Sequence, residues 1–292
     1  MLSLVDEFIG GARTALIFIV CATVLELVSG GESQGWVSRL RGLMFRMFYL
    51  VGLVIASLLL RQLATIFDLK SLFILDLRSI PNSDNLALAV LGVVGVPFIP
   101  VLVGDFVYYW FHRLQHAVPL LWRFHAVHHA IEEVNAANSA HHITEEFFRL
   151  PFVIVPLILL QLQVPEIVFF SVLVNLQSAL IHANSRISFG PLNYVIVRPL
   201  HHRIHHSIDP LHHNHNFAVV FPMWDMLFGT AYFPAAEEQI KTGLPDKGEA
   251  KTIGQYLFAL SPRNPASAGP IDQRSEAIRV TVSPDGKKTR RH

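Results

Sequence analysis

Polar and apolar residues in this chain fall into long blocks rather than short alternations. Apolar runs cover 14–28, 48–66, 86–111, 147–162 and 164–181, with polar connections between them. Runs of about 18 or more nearly uncharged residues are long enough to cross a bilayer as helices. The first run is slightly short and ends at Ser29-Gly30-Gly31. The second carries only Arg61 and Gln62 near its end, and the third contains Pro97 and Pro100, which predict a kink. The last two are split at Gln163 and Pro165 and sit near the lower length limit. They read as two short spans or as a re-entrant hairpin, and in either case the chain returns to the side it left.

This pattern divides the chain into spanning helices over 1–103, a histidine-rich region over 104–235 that includes the hairpin at about 147–181, and a polar tail over 236–292. The tail is expected to be disordered from about 261, where Pro, Ser, Arg and Lys replace any apolar period. Arg13 precedes the first run, but no small-residue cleavage site follows and further runs come later, so a span is expected there rather than a removable leader. Arg39, Arg41 and Arg46 lie in the first loop, and Arg113, Arg123, Arg149, Arg186, Arg198 and Arg203 flank the histidines. Both regions are therefore expected to be cytoplasmic, with the amino terminus outside and two crossings between them.

Composition agrees with a membrane protein. Hydrophobic residues make up 52% of 292, charged residues 15%, and mean hydropathy is +0.42. A net charge of +1 without clustered basic residues gives no case for nucleic acid. The single Cys21 forms no internal disulfide and is expected to be a small buried residue.

The histidines change the picture from a generic membrane protein to one with chemistry. Fifteen of the 16 lie between positions 112 and 215. On a helix, His112 and His116 stand one turn apart on one face. Pro119 should end that helix, and a second starting near Leu121 puts His125, His128 and His129 at i, i+3 and i+4. His202, His205 and His206 repeat the same spacing. Eight imidazoles exceed what one ion takes, so two ions are expected. Neutral imidazole suits iron, zinc, copper or nickel, and ligand type alone does not choose. Position does more: a nitrogen-rich dimetal site at the membrane surface can receive a lipid chain, and iron with dioxygen can break an unactivated C–H bond. Metal-bound histidines donate their second ring N–H to an acceptor, and Asp105, Glu145, Asn184 and Asp225 are candidates.

In order, the chain carries D-x2-Y-x3-H-R-x2-H, L-W-x-F-H-x2-H-H, N-x3-H-x2-E, I-H-A-N, H-R-x-H-H-S and N-F-x4-P-x-W-D-x-L-F-G-T. From about 104 to 232 this succession resembles the fatty acid hydroxylase and sterol desaturase superfamily. The resemblance implies an all-α integral membrane protein whose cytoplasmic helical cap holds two iron ions, with zinc as a possible substitute on purification. It implies O2 as co-substrate and hydroxylation or desaturation of a sterol, fatty acyl, carotenoid or ether lipid. It carries His112, His116, His125, His128, His129, His202, His205 and His206 over as ligands and adds His182 and His142. Ala140 departs from the pattern, which often has arginine there, and His212, His213 and His215 are richer than usual and are expected in a surface loop. No electron-carrier domain or nicotinamide fingerprint appears, so a separate electron-donor protein is implied.

His141 and His201 are expected to be neighbours of ligands only. Tyr108, Tyr109, Trp110 and Trp122 read as an interfacial aromatic belt. Two other functions compete. A zinc-dependent membrane hydrolase would need a carboxylate base, for which Glu132, Glu133 or Glu145 could serve. A metal transporter would distribute ionisable groups through its spans, which these runs nearly lack.

Overall fold

The computed structural model describes residues 4–29, 34–164 and 167–259, and the chain is mostly helical. Two long helices, α1 (Leu4–Val28) and α2 (Trp36–Ile66), come first. A short strand, β1 (Phe73–Asp76), leads to α3 (Leu86–Gly95), α4 (Phe98–Ala117) and α5 (Pro119–His129). Beyond a long loop come α6 (Glu145–Arg149), a π-helical turn, α7 (Val155–Leu159), β2 (Leu160–Gln163) and α8 (Ile167–Ile181). The remaining helices are α9 (Pro199–His205), α10 (Met223–Leu227) and α11 (Ile253–Leu257).

Among the described residues, α2 is long and apolar enough to cross a membrane, and α3 with α4 makes a second such segment, bent by 43°, if the pair is one span. The bend falls at Val96 and Pro97, where proline withholds a backbone donor and restricts the residue before it, while Pro100 is tolerated in the first turn of α4. On α1 the side chains of Leu16, Ile17, Val20, Val24 and Leu27 are exposed, an apolar face left uncovered among the described residues. Cys21 is on this helix and is exposed, not buried, because it follows Ile17 by one turn on the same outward face.

Three further expectations change. The chain is not purely helical: β1 and β2 form a parallel two-stranded sheet, with Phe73 opposite Leu160 and Asp76 opposite Gln163. The run 147–162 is not one helix. Pro151 and Pro156 break it into α6, the π turn and α7 before it straightens into β2. Helix α5 starts at Pro119 rather than near Leu121, since proline fits the first helical turn and Val118 before it is extended.

The stretch 236–259 is packed rather than trailing. Glu249 pairs with Arg41 at 2.7 Å, and Tyr256 is fully buried, stacked on Phe45 of α2 with centroids 4.5 Å apart. A capping box between Thr252 and Gln255 opens α11 and delivers Tyr256 to that position. The expected disorder from 261 falls outside the described residues.

Helix α2 lies directly against the loop after α5. A Cβ on Gly42 would fall on Asn138 Cα and the Ala137 carbonyl, both backbone atoms that cannot rotate away. Gly42→Ala is therefore expected to destabilise the protein by about 1–3 kcal/mol, the cost of overpacking, read as a lower unfolding midpoint in detergent. An unchanged midpoint would show that the loop does not seat on α2.

Candidate metal centre

The local sequence aims the imidazoles and the packing of four helices brings them together. α4 supplies His112 and His116 from one face, and the Val118-Pro119 corner folds α5 back so that His125, His128 and His129 oppose them. α8 ends at His182's doorstep, and α9, opened by Pro199, contributes His202 and His205, with His206 as its cap.

Two groups result. His112, His116, His125, His129 and His205 place one ring nitrogen each within 4.8 Å of all the others, and so do His128, His182, His202 and His206. In the first group, Nε2 of His112 and Nε2 of His129 lie 3.1 and 3.2 Å from Nε2 of His125. In the second, Nε2 of His182 is 3.3 Å from that of His128 and 3.1 Å from that of His202, and His206 Nε2 is 3.2 Å from His202 Nε2.

The outer nitrogens decide what those short separations mean. His112 Nδ1 lies 2.7 Å from the Phe217 carbonyl, His205 Nδ1 2.9 Å from the His215 carbonyl, and His182 Nδ1 2.7 Å from the Ser178 carbonyl. A carbonyl only accepts, so each Nδ1 carries the proton and each Nε2 presents a lone pair. His125 Nδ1 likewise faces Glu145 Oε2 at 3.0 Å. Nε2 of His112 and Nε2 of His125 are thus two lone pairs 3.1 Å apart, which repel unless a cation lies between them. A metal bound to imidazoles at roughly 2.0–2.1 Å sets neighbouring nitrogens roughly 2.9–3.4 Å apart. The observed spacings fit, and all-nitrogen donors suit a transition metal.

Burial keeps the set ready. It holds His125, His128, His129, His202, His205 and His206 well below the usual imidazole range, so they are neutral and able to ligate. Burial also pushes Glu145 up to about 8, opposed by hydrogen bonds from the His142 backbone N–H and Gln115. A dication held by His125 would favour the ionised carboxylate.

Of the four residues expected to accept from ligands, the structure brings Glu145 onto an imidazole and holds it with Gln115 Nε2 at 2.6 Å. Asp105 and Asp225 accept backbone N–H groups of 217–221 and touch no histidine ring, and the backbone N–H of Asn184 donates to Glu26 Oε1 at 2.8 Å.

His142, expected as a ligand, lies in neither group. Its Nδ1 accepts from the Thr144 N–H, and its ring sits between Phe124 and Tyr256. Its neighbour His141 points the other way, stacks on His128 at 3.9 Å and lies beside His125 and Glu145. In an irregular stretch adjacent side chains diverge, and the turn into α6 takes His142.

His201 packs against Phe233 outside both groups. His212 is buried, bonded to Ser207 Oγ and paired with Glu238, whereas His213 is exposed. The expected aromatic belt is partly inside the site. Tyr109 is fully buried, and Trp122 lies 5.0 and 5.5 Å from the rings of His116 and His129. Phe217 is edge-on to His112, His116 and His205, a role for which a phenylalanine in the sequence offers no signal.

Residues 98–230 match the family model described as fatty acid hydroxylase. Over 145 residues the chain is 34% identical to alkylglycerol monooxygenase of Homo sapiens, covering 48% of this chain and 31% of that protein. The Danio rerio protein of the same name is 34% identical over 141 residues, 47% and 30% of the two chains. An ornithine lipid hydroxylase of Rhizobium tropici is 30% identical over 148 residues, 50% and 45%. The matched stretch thus spans about a third of the length of the first two and under half of the third. No solved structure matches.

Proposed function

We propose, on the premise that this chain belongs through residues 98–230 to the fatty acid hydroxylase and sterol desaturase superfamily, that it is an O2-dependent di-iron membrane oxygenase acting on a lipid. The observation that carries this reading is the set of nine imidazoles in two groups, with ring nitrogens locked so that lone pairs converge. His112, His116, His125, His129 and His205 hold one ion, and His128, His182, His202 and His206 hold the other. Two iron ions there supply O2 activation and C–H oxidation, chemistry that side chains lack. The chain's own residues hold and orient the metals: Glu145 fixes the ring of His125, and three carbonyls fix those of His112, His182 and His205.

The names of the relatives narrow the substrate to an alkyl or acyl chain on a polar-headed lipid. The chain is multi-pass, its metal centre faces the cytoplasm, and a separate electron-donor protein reduces it. The stretch 147–181 enters the bilayer as a re-entrant hairpin, supported by its broken helices and by Glu145 and His182 meeting the same centre at its two ends. The hydrolase reading has less behind it. Glu132 and Glu133 line a separate cavity of about 210 Å³ beside Gly35, and both oxygens of Glu145 already accept hydrogen bonds.

The test is mass spectrometry of membrane lipids with and without the protein, together with iron and zinc quantified separately. A gain of one oxygen or loss of two hydrogens that requires both O2 and reductant is expected. Turnover that persists under argon without reductant would overturn the reading.

A further inference from the structure

We propose that Asp225 and Asp105 are positioning residues that fix the metal-facing nitrogen of His112 through the backbone of residues 217–221. The inference rests on the metal-binding reading above. Neither carboxylate touches an imidazole, yet together they take up five consecutive backbone donors. Asp225 accepts the N–H groups of Phe217 at 2.8 Å and Ala218 at 3.0 Å. Asp105 accepts those of Val219 at 3.2 Å, Val220 at 3.0 Å and Phe221 at 2.9 Å. The stretch lies outside helices and strands, so its backbone path is set by these two side chains on its N–H groups and by the Gln177 amide and the Val197 N–H on its Val219 and Val220 carbonyls. Both carboxylates are buried, which makes each bond costly to lose.

The consequence falls on one peptide unit. Phe217 gives its N–H to Asp225, and its carbonyl takes the Nδ1–H of His112 at 2.7 Å. Asp105 and His112 both stand on α4, about two turns apart. The loop is therefore clamped to the same helix at two heights, with the Phe217 carbonyl aimed at the upper one. A second tie supports Asp225: the Thr230 hydroxyl donates to Oδ1 at 2.8 Å, and Tyr109 of α4 bonds that hydroxyl at 2.9 Å. If the carbonyl moves, His112 loses the partner that keeps its proton on Nδ1, and its Nε2 can take that proton instead of facing the metal. The second group is anchored through Ser178 in α8, and that helix meets the loop through Gln177, whose Nε2 donates to the Val219 carbonyl at 3.1 Å, two residues from the peptide unit that holds His112.

The test uses the full chain in lipid nanodiscs titrated with Fe2+ under argon and, separately, with Co2+, whose absorption bands report each site. Wild type is expected to bind two ions, and binding fewer would overturn the dimetal reading itself. Asp225→Asn is expected to weaken one ion by about 10–100-fold, the range for losing an outer partner of a ligand, and to leave the other unchanged. In a His112→Ala background the same change should add less than about a twofold loss, because it acts through that ring. Asp105→Asn should show the same selectivity. Thr230→Val keeps both N–H bonds to Asp225 and gives a milder version of the shift if the aspartate variants fail to fold. Equal weakening of both ions, no weakening of either, or an effect undiminished without His112 would each overturn the proposal.

Discussion

His125→Ala is expected to remove at least one metal ion from the protein and to lower lipid oxidation by more than about a hundredfold, beyond the 10–100-fold typical of losing an outer partner. His125 is the hub of the first group, with its Nε2 3.1 and 3.2 Å from those of His112 and His129. Its other nitrogen engages Glu145, so the substitution also strands a buried carboxylate that keeps only the Gln115 amide and the His142 backbone N–H. His142→Ala is the contrasting control. Its ring lies outside both groups, so the metal content should stay at two ions per chain, measured by elemental analysis of the purified protein. Loss of a metal in His142→Ala with retention in His125→Ala would refute the assignment of both residues.

The second large effect is predicted at a carboxylate that is not in either imidazole group. Glu26 sits near the end of an apolar helix and is 4% exposed, and its carboxylate accepts three donors from three parts of the chain. Arg39 of α2 reaches it at 2.6 Å, and the backbone N–H groups of Ala136 and Asn184 each at 2.8 Å. Glu26→Ala leaves the Arg39 guanidinium buried without its partner and orphans two buried donors. Breaking such a pair from one side costs about 3–5 kcal/mol, to be measured by denaturant unfolding in detergent. Replacing both partners, Glu26→Ala with Arg39→Met, should recover part of the loss because no charge is then stranded. Metal content should fall in the single variant as well, since Ala136 lies in the loop that carries His141 and Asn184 is two residues past His182. An unfolding free energy within error of wild type would show that α1 is not tied to the site through this carboxylate.

Much of the centre was legible in the chain because helical spacing is local. His112 with His116, and His125 with His128 and His129, share faces through 3.6-residue periodicity alone. The sequence also offered Glu145 as one of four candidate partners for a ligand, and Pro97 with Pro100 predicted a kink in the 86–111 run. It did not reach Pro151 and Pro156, whose missing donors break the 147–162 run, nor the pairing of β1 with β2 across more than eighty residues. It also left 236–259 as a tail, although one aromatic, Tyr256, stacks on α2 and donates to the His141 carbonyl at 2.8 Å.

The amino-acid sequence by itself carried the ordered motifs that resemble the superfamily, the apolar runs, and eight of the nine imidazoles as ligand candidates on helix faces, with the ninth, His182, coming from the resemblance. Only the tertiary structure decided how the nine divide into five and four, that His141 rather than His142 turns toward them, and which partners orient them. The reason is physical. Three of those partners are the carbonyls of Phe217, Ser178 and His215, and every residue has a carbonyl, so nothing in the side-chain sequence marks the ones that packing turns toward a ring.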